Sequence, residues 1–102
     1  MEGDRVTVRL SGRIDAANSA QVKQEILQAA AGREDAPLFL DMEQLTYISS
    51  SGLRAIIQIR KTCPELSLIN VNPAIYEILE ISGFTEIMPV QKAYREVSVE
   101  GC

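Results

Sequence analysis

The stretch "LFLDMEQLTYISSSGLRAII", Leu38 to Ile57, changes its apolar rhythm halfway along. Leu38 to Met42 is a short apolar run carrying one carboxylate, Asp41, which suits a central strand covered on at least one face. From Ser51 to Lys61 the pattern becomes helical. Leu53, Ile56, Ile57 and Arg60 share one face, and Ala55 and Ile59 widen its apolar side. Cys63-Pro64 ends that helix, because a residue before proline disfavours the helical region. A strand delivered into a helix through three serines is the unit of a parallel α/β sheet.

Working outward, Val6, Val8 and Leu10 alternate with Arg5, Thr7 and Arg9, the period of a half-buried strand. Ser11-Gly12 then reads as a tight turn, and Arg13 to Asp15 as a short returning strand. Asn18 or Ser19 caps a helix in which Val22, Ile26, Leu27 and Ala30 fall on one face, with Gly32 as its stop. Beyond the central unit, Leu66 to Val71 is another strand, and Asn72-Pro73 opens a third helix with asparagine as cap and proline in its first turn. Ile75, Ile78 and Leu79 form its buried stripe, and Ser82-Gly83 ends it. Ile87 to Val90 reads as a last short strand, which Pro89 directs to a sheet edge, and "QKAYREV" as a closing helix. The expected order is β-β-α-β-α-β-α-β. It implies one small α/β domain over residues 1–102, with a mixed, mostly parallel sheet, an N-terminal antiparallel hairpin, and helices packed on the sheet.

Composition narrows the function. Apolar residues make up 46% of the 102, enough for one modest core. No apolar stretch approaches the roughly 20 residues that span a bilayer, so direct membrane insertion is not expected. "MEGDRVTVRL" is unlike a basic, apolar secretion signal, which makes a cytoplasmic location the expectation. The net charge is −4 and the cations are scattered, so no nucleic-acid face is visible. The chain has no histidine and two cysteines, Cys63 and Cys102, expected as free thiols. This removes most zinc sites and the usual Ser-His and Cys-His nucleophile pairs. No metal, cofactor or catalytic residue is called for, and the chain reads as a protein that others act upon.

The serines carry the remaining chemistry. A helix start has free N–H groups and a partial positive charge, so it accommodates an anion. One serine there can cap the helix through its oxygen. Gly52 in the first turn costs helix stability and implies a close approach, by which a partner or ligand would reach the Ser51 hydroxyl. Phosphorylation at that point adds about −1.5 to −2 charges, which the helix end tolerates and a partner surface fitted to a neutral hydroxyl does not. The residues leave two readings open: a serine-rich cap and turn, or a switch.

At this point the sequence resembles a known family. "YISSSGLRAI" is similar to the signature of STAS domains, the family of bacterial anti-sigma-factor antagonists, an apolar pair followed by D-S-S-G-L. "VRLSGRIDAANSAQVKQEI", "LFLDMEQLTYI" and "LINVNPAIYEILEISGF" resemble its opening strand, turn and helix, its central strand, and its penultimate strand and helix. The resemblance implies a phosphorylated serine immediately before the signature glycine, here Ser51, and no catalysis by the domain itself. It implies as partners an anti-sigma factor that is a serine kinase of the histidine-kinase ATPase type, and a serine phosphatase. It also implies an interaction surface containing Asp15, Asn18, Ser50, Gly52, Leu53 and Arg54. The family's aspartate, two residues before the phosphoserine, is Ser49 here. Arg54 stands where a cation would steady a phosphoryl group. The other role that the resemblance allows is an accessory subunit of a membrane transport complex, with a constitutive partner surface and no modified serine.

Asp15 reads equally as a strand-end cap and a partner contact, Asp41 as structural, and Tyr47 and Ile48 as core. Ser50 is expected to help cap or shape the turn.

Overall fold

The computed structural model describes residues 5–93. The chain runs β1 (Val6–Ile14), α1 (Ser19–Ala29), β2 (Leu38–Ile48), α2 (Ser50–Thr62), β3 (Leu66–Val71), α3 (Pro73–Ile81), a short 3-10 turn (Phe84–Glu86) and β4 (Val90–Lys92). The four strands form one sheet in the order β1-β2-β3-β4, and every pairing is parallel. α1 lies against β1 and α2, α2 against β2, and α3 against β2 and β4. Between helices and sheet runs one apolar core, built from Val6, Leu10, Ile14, Leu40, Met42, Ile56, Leu68 and Leu79 among others.

The expected N-terminal hairpin does not exist. Ser11-Gly12 lies inside a continuous strand, and Arg13-Ile14 extends it in the same direction. The nine residues of β1 face eleven of β2, with register shifts between Arg9 and Ser11 and between Gly12 and Arg13. Gly12 absorbs the mismatch at φ +80°, a conformation that side chains resist. Its carbonyl accepts a 2.9 Å hydrogen bond from Thr46 Oγ1 on β2. The extra residues of both bulges lie on β2, at Met42-Glu43 and at Thr46, and Gly12 lets β1 bend to follow them.

Other boundaries shift for similar reasons. β2 continues to Ile48 rather than stopping near Met42, so Asp41 sits within the strand. β2 pairs with β3 only from Leu38 to Asp41, and side chains take over where that ladder ends. Asp41, 8% exposed, accepts from Asn70 Nδ2 at 3.0 Å and from the Glu43 N–H at 3.0 Å. Asn70 adopts φ 54°, which asparagine tolerates better than most residues. Asn72 then donates from Nδ2 to the Leu45 carbonyl at 2.7 Å, while its Oδ1 accepts the Ile75 N–H at 3.0 Å as the cap of α3.

The last strand begins at Val90, three residues after the expected start, because Phe84–Glu86 winds into the 3-10 turn and Met88 is buried. Among the described residues β4 is an edge strand, as Pro89 implied, and the Pro89 carbonyl just before it accepts the Leu68 N–H at 3.0 Å. Of the expected closing helix, Gln91 and Lys92 belong to β4, and Tyr94 to Val97 lie outside the described residues. Cys63 is a free, fully buried thiol at the end of α2. Burial first, and the Glu34 charge second, push its pKa up, which keeps it protonated and poorly nucleophilic. Cys102 lies outside the described residues, and none of the described helices is long and apolar enough to cross a membrane.

Asn72 closes two structures at once, so Asn72→Ala removes a helix cap and strands the buried Leu45 carbonyl. A loss of about 2 kcal/mol is expected in urea unfolding, against near neutrality for an exposed asparagine.

Candidate functional site

The site forms where β1 and β2 end together. Ile14 and Ile48 are register partners, and the Ser49 N–H donates to the Ile14 carbonyl at 2.9 Å. This bond ties the start of α2 to the end of β1. The Asp15–Asn18 turn and the serine run are therefore neighbours, although 34 residues separate Asp15 from Ser49 in the sequence.

The turn is held internally. Asp15 Oδ1 accepts the Ala17 N–H at 3.0 Å, and the Asp15 carbonyl accepts from Asn18 and Ser19 at 3.2 and 2.9 Å. Asn18 precedes α1 without a side-chain cap bond to that helix. Its Oδ1 instead accepts the Asp15 N–H at 2.9 Å, and its Nδ2 donates to the Arg13 carbonyl at 2.8 Å. Both residues thus have defined structural work, and both keep part of their surface exposed to solvent.

The three serines occupy three different environments. Ser49 is the cap of α2: its backbone is extended, its Oγ accepts the Gly52 N–H at 3.3 Å, and its carbonyl accepts the Leu53 N–H at 2.9 Å. The capping role expected of Ser50 thus falls to Ser49. Ser50, the first helical residue, is exposed. Ser51 is half-buried and lines a cleft of about 200 Å³ between α1 and α2, together with Ser19, Ala20, Lys23, Arg54, Ala55 and Gln58.

Gly52 is buried, and the close approach that its presence implied comes from within the domain. A Cβ at this position would stand 2.7 Å from Ile48 Cγ1 and 2.8 Å from Ile14 Cγ2. Both isoleucines are β-branched core residues with little room to yield. The glycine therefore seats the first turn of α2 on the ends of two strands. Leu53 packs half-buried at the edge of the core, and Arg54 is exposed. The buried stripe of α2 is Gly52, Ala55, Ile56 and Ile59, rotated from the expected one: Leu53 and Ile57 are only half-buried, and Arg60 is exposed.

Tyr47, expected in the core, is 39% exposed, with the Arg13 guanidinium 4.4 Å from its ring centroid. Sequence reasoning missed Ser19, Lys23 and Gln58. Their helical spacing was visible, but nothing in it paired the faces of α1 and α2. Among the described residues no cluster of metal-binding side chains occurs.

The STAS domain family matches residues 2–97. The chain belongs to the STAS domain family. It is 39% identical over 85 residues to BtrV of Bordetella bronchiseptica, described as a candidate anti-sigma factor antagonist; the match covers 79% of this chain and 72% of that one. It is 32% identical over 87 residues to the anti-sigma F factor antagonist of Paenibacillus polymyxa, covering 81% and 74% respectively. In fold it is similar to a candidate anti-sigma factor antagonist from Thermotoga maritima, with a TM-score of 0.78 at 17% identity over 90% of this chain and 82% of that one. Membership agrees with a regulatory binding domain rather than an enzyme.

Gly52→Ala in this STAS domain tests the seating of α2. At an exposed helical site the change would stabilise by roughly 1 kcal/mol. Here it is expected to destabilise by about 1–2 kcal/mol in urea unfolding, because the added methyl overpacks Ile14 and Ile48.

Proposed function

We propose that this STAS domain is an anti-sigma-factor antagonist, a binding module switched by phosphorylation of Ser51. The observation that carries the reading is the antagonist naming of relatives 39% and 32% identical over about four-fifths of the chain. The partner is an anti-sigma factor that is also a serine kinase of the histidine-kinase ATPase type, and a serine phosphatase resets the switch. The kinase-facing surface comprises Asp15, Asn18, Ser50, Leu53 and Arg54, around the ends of β1 and β2, with Gly52 contributing through the shape of the turn.

In the modifying step Ser51 Oγ attacks the γ-phosphorus of ATP. The new Oγ–P bond forms as the bond to the bridging oxygen breaks, ADP leaves with that electron pair, and the hydroxyl proton passes to a base of the kinase. The product carries about −1.5 to −2 charges at the rim of the binding surface. A kinase surface fitted to a neutral hydroxyl has no group of its own to match the added anion, and affinity falls. The fold is not taxed, because the cap of α2 belongs to Ser49 and the seating to Gly52.

Intact mass after incubation with the cognate kinase and ATP, followed by site mapping, is expected to show one phosphoryl group on Ser51. Ser51→Asp is expected to bind the kinase at least about tenfold more weakly, roughly 1.4 kcal/mol, with unchanged unfolding. Absence of phosphate from Ser49, Ser50 and Ser51 overturns the switch, and wild-type affinity in Ser51→Asp overturns charge repulsion.

A further inference from the structure

The cleft that Ser51 shares with α1 has a composition unlike the rest of the molecule. Its described lining is Ser19, Ala20 and Lys23 from α1, and Ser51, Arg54, Ala55 and Gln58 from α2. Two cations and no carboxylate surround the serine, in a chain with 14 acidic and 10 basic residues. Small side chains at Ser19, Ala20 and Ala55 leave the space between the helices open. Both helices follow strands of the same direction, so they start at the same end of the sheet. Lys23 stands one turn into α1, and Arg54 follows Ser51 at the i+3 spacing that puts both on neighbouring faces of α2.

Lys23 is held in an arrangement that it can leave. It is half-buried, and its ammonium donates to Gln58 Oε1 at 2.7 Å, a neutral acceptor. Gln58 lies about 10 Å beyond Ser51 along the axis of α2 at 1.5 Å per residue. Lys23 lines the same cleft as Ser51, and its flexible four-carbon stem lets the ammonium leave Gln58 and swing toward the serine. A charge-assisted bond to a phosphoryl oxygen is stronger than one to an amide oxygen.

We propose that Lys23 and Arg54 form an intramolecular dock for the phosphoryl group on Ser51, with Lys23 leaving Gln58 to join it. The inference rests on Ser51 as the modified residue. Docking draws the phosphoryl group toward α1 and links the two helices in the modified state. Ser49 contributes by its neutrality: a carboxylate in its place would stand two residues from the phosphoryl group and oppose it. The modified domain therefore presents a pinned anion with a fixed position, rather than a mobile charge on the helix end.

The test installs phosphoserine at position 51 during translation, so it does not depend on any kinase. Phosphorus NMR then follows the second ionisation of the phosphoryl group, which has a pKa of about 6 when unperturbed. In the wild-type background this pKa is expected to be lower by about half a unit or more than in the Lys23→Gln/Arg54→Gln double variant, since nearby cations favour the dianion. Lys23→Arg is expected to retain the depression, and the Lys23 Nζ resonance to shift on modification. Amide spectra confirm that each variant is folded. Equal pKa values in the wild-type and double-variant backgrounds, or an unmoved Lys23 resonance, overturn the dock. Kinase labelling of Ser51 is read separately, so loss of labelling with a depressed pKa rejects the switch alone, and labelling with an unperturbed pKa rejects the dock alone.

Discussion

Ile14 and Ile48 end adjacent strands at the same level, and Gly52 rests on both of them. Any side chain at position 52 would enter the space of one isoleucine or the other. The contact fixes the height and tilt at which α2 leaves the sheet, and the bond from the Ser49 N–H to the Ile14 carbonyl fixes its direction. Everything exposed at this end of the molecule follows from that seating. Ser50 points outward, Ser51 meets α1, and the Asp15–Asn18 turn stands beside them because it leaves from Ile14. The glycine of the signature is thus a packing requirement whose consequence is a surface.

The same seating separates the residues that hold α2 from the proposed phosphosite. The cap of α2 uses Ser49, and the buried stripe of α2 uses Gly52, Ala55, Ile56 and Ile59. Ser51 belongs to neither group. Its hydroxyl is free to be chemically altered while the interactions that hold the helix remain in place. Were the proposed phosphosite also the cap, adding charge there would disturb the fold and the binding surface together. Ser49 caps the helix by accepting the Gly52 N–H, as an aspartate could, and does so without placing a negative charge beside Ser51.

Much of this was legible in the residues, and the failures have physical causes. The alternation from Val6 to Leu10, the run from Leu66 to Val71 and the Asn72-Pro73 start depend on local periodicity or backbone chemistry and appear as read. The helix over Leu53 to Ile59 forms with its buried stripe rotated from the expected one. Ser11-Gly12 reads as a turn in isolation, but a strand bending past a bulge demands the same backbone freedom. Only the length of β2 opposite β1 decides between them, and that is a tertiary fact. Tyr47 and Ile48, both expected in the core, are successive residues of one strand and face opposite sides, so Ile48 is buried and Tyr47 turns outward onto Arg13. At the site, the serine run and the Asp15 turn were recognisable by their pattern. Lys23 and Gln58 were not, because their role arises only when two helix faces meet.

Hydrogen exchange at the Gly52 and Leu53 amides tests the division between seating and signal most directly. Both amides donate to Ser49, one to its side chain and one to its carbonyl. Their protection, measured before and after phosphorylation of Ser51, is predicted to stay the same while affinity for the kinase falls. Collapse of protection at Leu53 on phosphorylation would contradict the account, since the modification would then act by unwinding α2 rather than by altering the surface it presents.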